Sequence, residues 1–155
     1  MLQAPEDRPA GHDAPAPGPD LCSEAEITQL VHAFYALARR DPLLGPIFEQ
    51  HVGDWPAHLA NLVDFWSAML RGTRRFHGAP VQRHNALPEL GVMAFERWLA
   101  LFTQTTATLG NARMQRVADD TARHLAVTLF ERYEDALRAR RKAADAQLGI
   151  PRDGG

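Results

Sequence analysis

His84 and His58 are the two residues of this chain whose type and setting suit them to bind a metal ion. His84 lies in the stretch VQRHNALP, residues 81–88, which follows a loop that contains Gly78 and Pro80. The stretch has few apolar side chains, so core burial alone gives little reason for a helix at this place. A bond from the His84 imidazole, a common ligand of zinc and iron, would stabilise such a short helix.

The available ligands limit the kind of metal site to which His84 could belong. A site built from side chains alone needs two or three more His, Asp or Glu ligands, and the sequence has neither an HExxH motif nor paired ExxH motifs. The single cysteine, Cys22, excludes a cysteine zinc site and an internal disulfide. One histidine beside a large apolar slot is typical of haem, whose porphyrin supplies the other four ligands of the iron.

His58 lies at the edge of a wide apolar face, which it shares with Leu62, Phe65 and Met69. A helix that is apolar over so wide an arc must contact other groups on two sides. Either the helix is deeply buried and tolerates one histidine, or it faces a cavity or cofactor on the side of His58. The spacing leaves both interpretations open.

The sequence predicts helices for the segments that must position these histidines. Ser23 and Glu26 fit a capping box, Asp41 precedes a proline at the start of a short helix, and a long helix begins near Asp54. Two more helices follow residues 81–88, and no segment alternates like a strand. We predict an all-α fold, with a proline-rich disordered tail at residues 1–22, one folded domain at 23–142 and a frayed tail at 143–155.

Composition excludes several classes of protein. The 155 residues suffice for one domain, and a formal net charge of −2 gives no electrostatic reason to bind nucleic acid or an anionic membrane. No run of about 18 apolar residues occurs, so no membrane span is predicted. The N-terminal residues lack the basic start and apolar stretch of a secretion signal, so we expect a cytoplasmic protein.

Seven short motifs follow one another along the chain. They are FY at residues 34–35, DxxLGPIF at 41–48, DWxxH at 54–58, FW at 65–66, HGxP at 77–80, HxxL at 84–87 and FxxWLxLF at 95–102. Together they closely resemble the truncated haemoglobins, in particular their third group. The resemblance implies a globin-like, truncated fold, in which a two-over-two helical sandwich surrounds a haem.

The resemblance also implies roles for the matched residues. His84 corresponds to the proximal histidine, which binds the iron of haem b (iron protoporphyrin IX). Tyr35, Trp98 and His58 correspond to the distal residues, which would carry any catalysis. Phe48 corresponds to the phenylalanine that packs against the haem ring. The other side chains implied to contact the haem are Phe34, Leu62, Phe65, Phe95 and Trp98.

Such a site implies chemistry with small gases. Porphyrin and His84 would leave the sixth position of the iron open to O2, CO or NO. A hydroxyl and an indole N–H beside it suit O2 and NO chemistry or peroxide turnover better than simple transport, and repeated turnover would require a reductase partner. Two alternatives stay open. One is a redox or sensor protein in which His58 also binds the iron, and the other is a haem-free helical interaction module.

Overall fold

The computed structural model describes residues 14–78 and 91–149, and every structural statement below concerns these two ranges. They form five helices, and no strand occurs among them. The helices are α1 (Glu24–Arg40), α2 (Leu44–His51), α3 (Trp55–Arg71), α4 (Val92–Thr106) and α5 (Ala112–Leu148). The prediction of an all-α fold is confirmed. His84 and the predicted short helix around it lie outside the described residues.

The two long helices on the N-terminal side begin where the sequence predicts. At the start of α1, the Ser23 hydroxyl accepts from the Glu26 backbone N–H at 3.1 Å, and a Glu26 carboxylate oxygen accepts from the Ser23 N–H at 3.0 Å. The Asp54 carboxylate accepts from the Ala57 N–H at 3.1 Å and caps α3 in the same way. Each cap satisfies a backbone donor that has no partner within its helix.

Helix α2 is joined to the end of α1 by Asp41 and Gly45. One Asp41 carboxylate oxygen accepts from the backbone N–H groups of Leu43 and Leu44, each at 3.0 Å. A Cβ atom at Gly45 would lie 2.5 Å from the carbonyl oxygen of Arg39, so only glycine allows the two helices to approach so closely. The short helix predicted after Asp41 is therefore present, and it is fixed against α1.

The helices pack as two pairs. Helix α1 packs against α3, α4 packs against α5, and α1 also contacts α2 and α4 and so joins the pairs. Phe102 of α4 lies at the centre, with the ring centroids of Trp66 and Trp98 stacked at 4.8 and 5.4 Å and Phe34 edge-on at 5.4 Å. The aromatic residues that the sequence places on three separate apolar faces thus share one core.

The N-terminal segment packs on the domain earlier than the boundary predicted at residue 22. Leu21 and Cys22 are each 5% exposed and belong to the core. Arg71 of α3 donates to the Cys22 carbonyl at 2.8 Å, and Asn111, at the start of α5, donates to the Leu21 carbonyl at 3.1 Å. These two residues belong to the folded domain because an apolar contact and two distant donors hold them.

Helix α5 also continues beyond the domain boundary predicted at residue 142. It ends at Leu148, and Gly149 then adopts a φ of 66°, the left-handed conformation that commonly follows a helix. Its last turns are exposed, and Arg138 pairs with Asp135 at 2.8 Å along the helix surface. The residues 143–148 that were predicted to fray are helical. No helix in the described ranges has the length and apolar character needed to cross a membrane.

Candidate functional site

Tyr35 is the centre of an aromatic cluster to which three helices contribute. It follows the core residue Phe34 on α1, and its side chain is buried. Its ring lies 5.5 Å from that of Phe48 on α2, and 6.1 and 5.7 Å from those of Trp55 and His58 on α3, measured between centroids. The structure therefore brings together three predicted site residues, Tyr35, Phe48 and His58.

Burial and one neighbour determine the chemistry of the Tyr35 hydroxyl. Burial raises the pKa of Tyr35 well above its ordinary value, because the phenolate would lose its hydration. A hydrogen bond from the Trp98 side chain acts in the opposite direction and stabilises the phenolate, but it is the smaller effect. A phenol oxygen that accepts from the Trp98 indole N–H still has its own O–H to donate. Tyr35 is thus a neutral hydrogen-bond donor inside the core.

Trp98 reaches Tyr35 from α4 because two phenylalanine rings fix its orientation. The Trp98 ring stacks on Phe102 with an interplanar angle of 14°, and it meets the Phe34 ring edge-on at 5.6 Å. Aromatic pairs favour such offset-stacked and edge-on arrangements. The structure therefore places Trp98 beside Tyr35.

His58 lies between this cluster and the protein surface. Its ring meets that of Tyr35 edge-on, with an interplanar angle of 89°, and that of Trp55 at 5.6 Å. On its other side it lines an open pocket of about 410 Å³, together with His51, Asp54 and other residues between α2 and α3. His58 is therefore the one predicted distal residue with contacts on both sides, toward Tyr35 and toward this surface pocket.

Five side chains predicted to form the wall of the haem slot are all buried. They are Phe34, Phe48, Leu62, Phe65 and Phe95. The rings of the last two pack with aromatic neighbours, Phe65 with Phe76 at 5.2 Å and Phe95 with Phe130 at 5.7 Å. These apolar walls, beside the polar atoms of a tyrosine, a tryptophan and a histidine, fit the chemistry of a haem pocket.

The predicted iron ligand cannot be placed within this geometry, because His84 lies outside the described residues. In residues 14–78 and 91–149, no group of three or more His, Cys, Asp or Glu side chains is arranged to hold a metal ion. The roles of His84 as the iron ligand, and of the distal residues toward a bound gas, are therefore taken up below as proposals.

Trp55 is a member of the cluster that the sequence did not single out as functional. Its ring contacts those of Tyr35, Phe48 and His58, and the Arg39 guanidinium carbon lies 4.1 Å from its centroid. The Trp55 indole nitrogen is buried and has no hydrogen-bond partner in the described part of the chain. The DWxxH motif was the available indication, because it puts Trp55 one turn before His58 on the same helix.

Comparisons with known proteins agree with this fold. Residues 20–131 match the family model described as bacterial-like globin. The chain is 33% identical over 111 residues to the group 3 truncated hemoglobin of Campylobacter jejuni, and the match covers 69% of this chain and 87% of that protein. The crystal structure of group III truncated hemoglobin from Campylobacter jejuni matches with a TM-score of 0.68 and 30% identity, over 74% of this chain and 93% of that one.

Proposed function

Because this chain belongs to the bacterial-like globin family, whose members bind gases at a haem, we propose that it holds haem b through His84 and binds O2 beside Tyr35. The observation that carries the proposal is the cluster in which Trp98 and His58 both contact Tyr35. Haem iron with one histidine ligand supplies an open coordination position for O2, CO or NO. The apolar residues around the cluster would hold the porphyrin and exclude water from it.

Tyr35 would be the donor that acts on the gas ligand. Its raised pKa keeps the hydroxyl protonated, and the hydrogen bond from Trp98 leaves its O–H available. A charge-assisted hydrogen bond to a ligand that gains negative charge is worth about 1.5–3 kcal/mol. The larger value corresponds to roughly 150-fold in affinity, which would appear mainly as slower escape of O2.

Trp98 would act mainly on Tyr35. A tryptophan has one indole N–H and no acceptor, so it can donate to Tyr35 or to a ligand, but not fully to both. The contact with Tyr35 supports the first arrangement. We propose that Trp98 holds the Tyr35 hydroxyl in the direction of the ligand.

The polar character of this site favours turnover over simple transport. Slow release of O2 hinders delivery, whereas it gives time for a second reactant to enter. We propose that the protein oxidises NO to nitrate with O2, or turns over peroxide, in the cytoplasm. Oxidation of NO by O2 to the nitrate ion consumes one electron for each NO, so a reductase partner would have to supply it.

An absorption spectrum of the purified protein tests the haem proposal directly. Oxidised, reduced and CO-treated samples of the wild type would be compared with His84→Ala and with His51→Ala, a control for the loss of any imidazole. We expect an intense Soret band that shifts with CO in the wild type and the control, and that is weak or altered in His84→Ala. The absence of a Soret band after addition of hemin would refute the proposal. A low-spin ferrous spectrum without added ligand would instead support iron bound by both His84 and His58.

A further inference from the structure

Asp41 is a buried carboxylate at which three helices meet. Its side chain is 2% exposed, and one carboxylate oxygen accepts from the N–H groups of Leu43 and Leu44, at the start of α2. The other oxygen accepts from the Nε of Arg97 on α4 at 2.6 Å. The Asp41 backbone N–H donates to the Ala38 carbonyl at 3.2 Å and ends α1. The backbone and the side chain of Asp41 are therefore both hydrogen-bonded, and the carboxylate connects Asp41 to Arg97 on α4.

Each of these three helices carries at least one residue of the site. Tyr35 lies on α1 about two turns before Asp41, Phe48 lies on α2, and Trp98 is the residue next to Arg97 on α4. Consecutive residues of an α-helix are separated by 1.5 Å along the helix axis and by about 100° around it. A shift of Arg97 relative to Asp41 therefore moves Trp98 by nearly the same amount relative to Tyr35.

Among the described residues, the first half of α4 is held by apolar and ring packing and by few polar side-chain contacts. The helix begins at Val92 without a side-chain cap, and Val92 and Met93 are 50% and 71% exposed. Ala94 and Phe95 are buried and provide apolar contacts, which carry no directional requirement of their own. At 2.6 Å, the bond from Arg97 to Asp41 is a short directional contact between this half of the helix and the end of α1.

We infer that Asp41 and Arg97 are positioning residues that hold the Trp98 indole against the Tyr35 hydroxyl, and that the rate of O2 release depends on their bond. The inference rests on the proposed function for its effect on O2. The place of the Trp98 ring, stacked on Phe102 and edge-on to Phe34 beside Tyr35, does not depend on that function. We call the pair the Asp41–Arg97 clamp.

The clamp differs from an ordinary surface ion pair in two ways. The Asp41 carboxylate is almost fully buried, and its pKa is held below the ordinary value by hydrogen bonds from the Leu44 backbone and Arg97, which outweigh the effect of burial. Arg97 is 49% exposed, so its head group can be changed without opening a cavity. An exposed ion pair elsewhere would contribute at most modestly to stability and nothing to the geometry of the site.

The test compares Arg97→Gln with Arg75→Gln in the haem-loaded protein. Arg75 is a matched control, because its side chain is 47% exposed and forms ion pairs with Glu24 and Asp64. Two quantities are measured in each variant. One is the indole ¹⁵N–¹H chemical shift of Trp98 in the CO complex, assigned with Trp98→Phe, and the other is the O2 dissociation rate constant.

We expect Arg97→Gln to move or broaden the Trp98 indole signal and to change the O2 dissociation rate constant at least threefold, with Arg97→Lys intermediate. Arg75→Gln should change neither quantity. An unchanged indole signal and an unchanged rate in Arg97→Gln would overturn the inference. If Arg97→Gln does not fold, Arg97→Lys decides the same question by the same two measurements.

The proposed function and the clamp fail in different ways. If Trp98→Phe and Tyr35→Phe both leave the O2 rate unchanged, the donor role in the proposed function is refuted, and the indole signal alone decides whether the clamp exists. If those two variants change the rate but Arg97→Gln changes neither quantity, the proposed function stands and the clamp is refuted.

Discussion

The rings of Tyr35 and His58 meet edge to face, with centroids 5.7 Å apart and an interplanar angle of 89°. This contact joins α1 to α3 at the place where the surface pocket beside His58 meets the aromatic cluster. The His58 ring therefore contacts Tyr35 and also lines the surface pocket. The Tyr35 hydroxyl is the group of the cluster whose removal tests the proposed function most directly.

Replacing Tyr35 with Phe is expected to raise the O2 dissociation rate constant at least tenfold. The variant loses one charge-assisted hydrogen bond, worth about 1.5–3 kcal/mol, and keeps the ring contacts that pack the core. Stopped-flow displacement of O2 by CO measures the rate. Tyr133→Phe is the matched control, since it removes the only other tyrosine hydroxyl of the chain. Equal rates in wild type and Tyr35→Phe would contradict the role of Tyr35 as a donor.

The same hydroxyl should make O2 release insensitive to pH in the alkaline range. Because burial raises the pKa of Tyr35 above its ordinary value of 10.0, the native protein keeps the O–H where an exposed tyrosine would lose it. We expect a constant O2 dissociation rate up to pH 10, and an absorbance at 295 nm that reports Tyr35 ionisation only as the protein unfolds. Comparison of the wild type with Tyr35→Phe shows which part of the absorbance change at 295 nm comes from Tyr35. Acceleration of O2 release well below pH 10 would show that the hydroxyl ionises in the folded state.

Glu24 should contribute stability that disappears in acid. Hydrogen bonds from Arg75, Ser67 and Arg71 lower the pKa of Glu24 to about 2 from its ordinary value of 4.5. A depressed pKa means that these contacts stabilise the fold fully above pH 4.5 and lose this effect as the pH falls toward 2.

The corresponding variant is Glu24→Gln. Because the carboxylate is 39% exposed, we expect a loss of about 1 kcal/mol at neutral pH, seen as a fall in Tm of about 2–4 °C. The difference in Tm between the wild type and Glu24→Gln should shrink as the pH is lowered from 4.5 toward 2. Glu131→Gln, at an exposed position of α5, serves as the control. A difference that stays constant down to pH 2 would contradict the pKa shift.

Leu21 should matter for stability although it precedes the first helix. It is 5% exposed in the core, so its replacement by Ala leaves a cavity and is expected to cost about 2 kcal/mol or more in the free energy of unfolding. Urea denaturation measures this quantity. Leu148→Ala is a suitable comparison because Leu148 is 74% exposed, and it should change the free energy by less than about 0.5 kcal/mol. Equal values for the two variants would mean that the segment before α1 does not pack as described.

Cys22 should be unreactive toward thiol reagents in the folded protein. Burial, followed by the negative charge of Glu26, raises the pKa of the Cys22 thiol to about 11 from 9.0. The thiolate is the reactive form, so labelling by an aromatic disulfide at pH 8 is expected to be slow until the chain is unfolded in urea. Rapid labelling of the native protein would place Cys22 outside the core.

The sequence predicts the helices from local patterns, whereas the members of the site are predicted from the resemblance to the truncated haemoglobins. The capping box at Ser23, the N-cap at Asp54 and helical periodicity locate α1 and α3. The resemblance carried by the motif order is what groups Tyr35, His58 and Trp98. The pairing of Asp41 with Arg97 could not be predicted, since 56 residues separate them and neither lies on an apolar face. The packing of Leu21 also depends on distant donors, Arg71 and Asn111, which proline content near the N-terminus does not reveal.

The exposed end of α5 limits how cooperatively this chain can unfold. Beyond residue 137 the helix runs on for about 11 residues, or roughly 16 Å, with few contacts to the core. A helix of this length is marginal by itself in water. Far-ultraviolet ellipticity should therefore begin to fall on heating before tryptophan fluorescence reports the loss of the core. The protein as a whole would depart from a two-state transition even though its globin core obeys one.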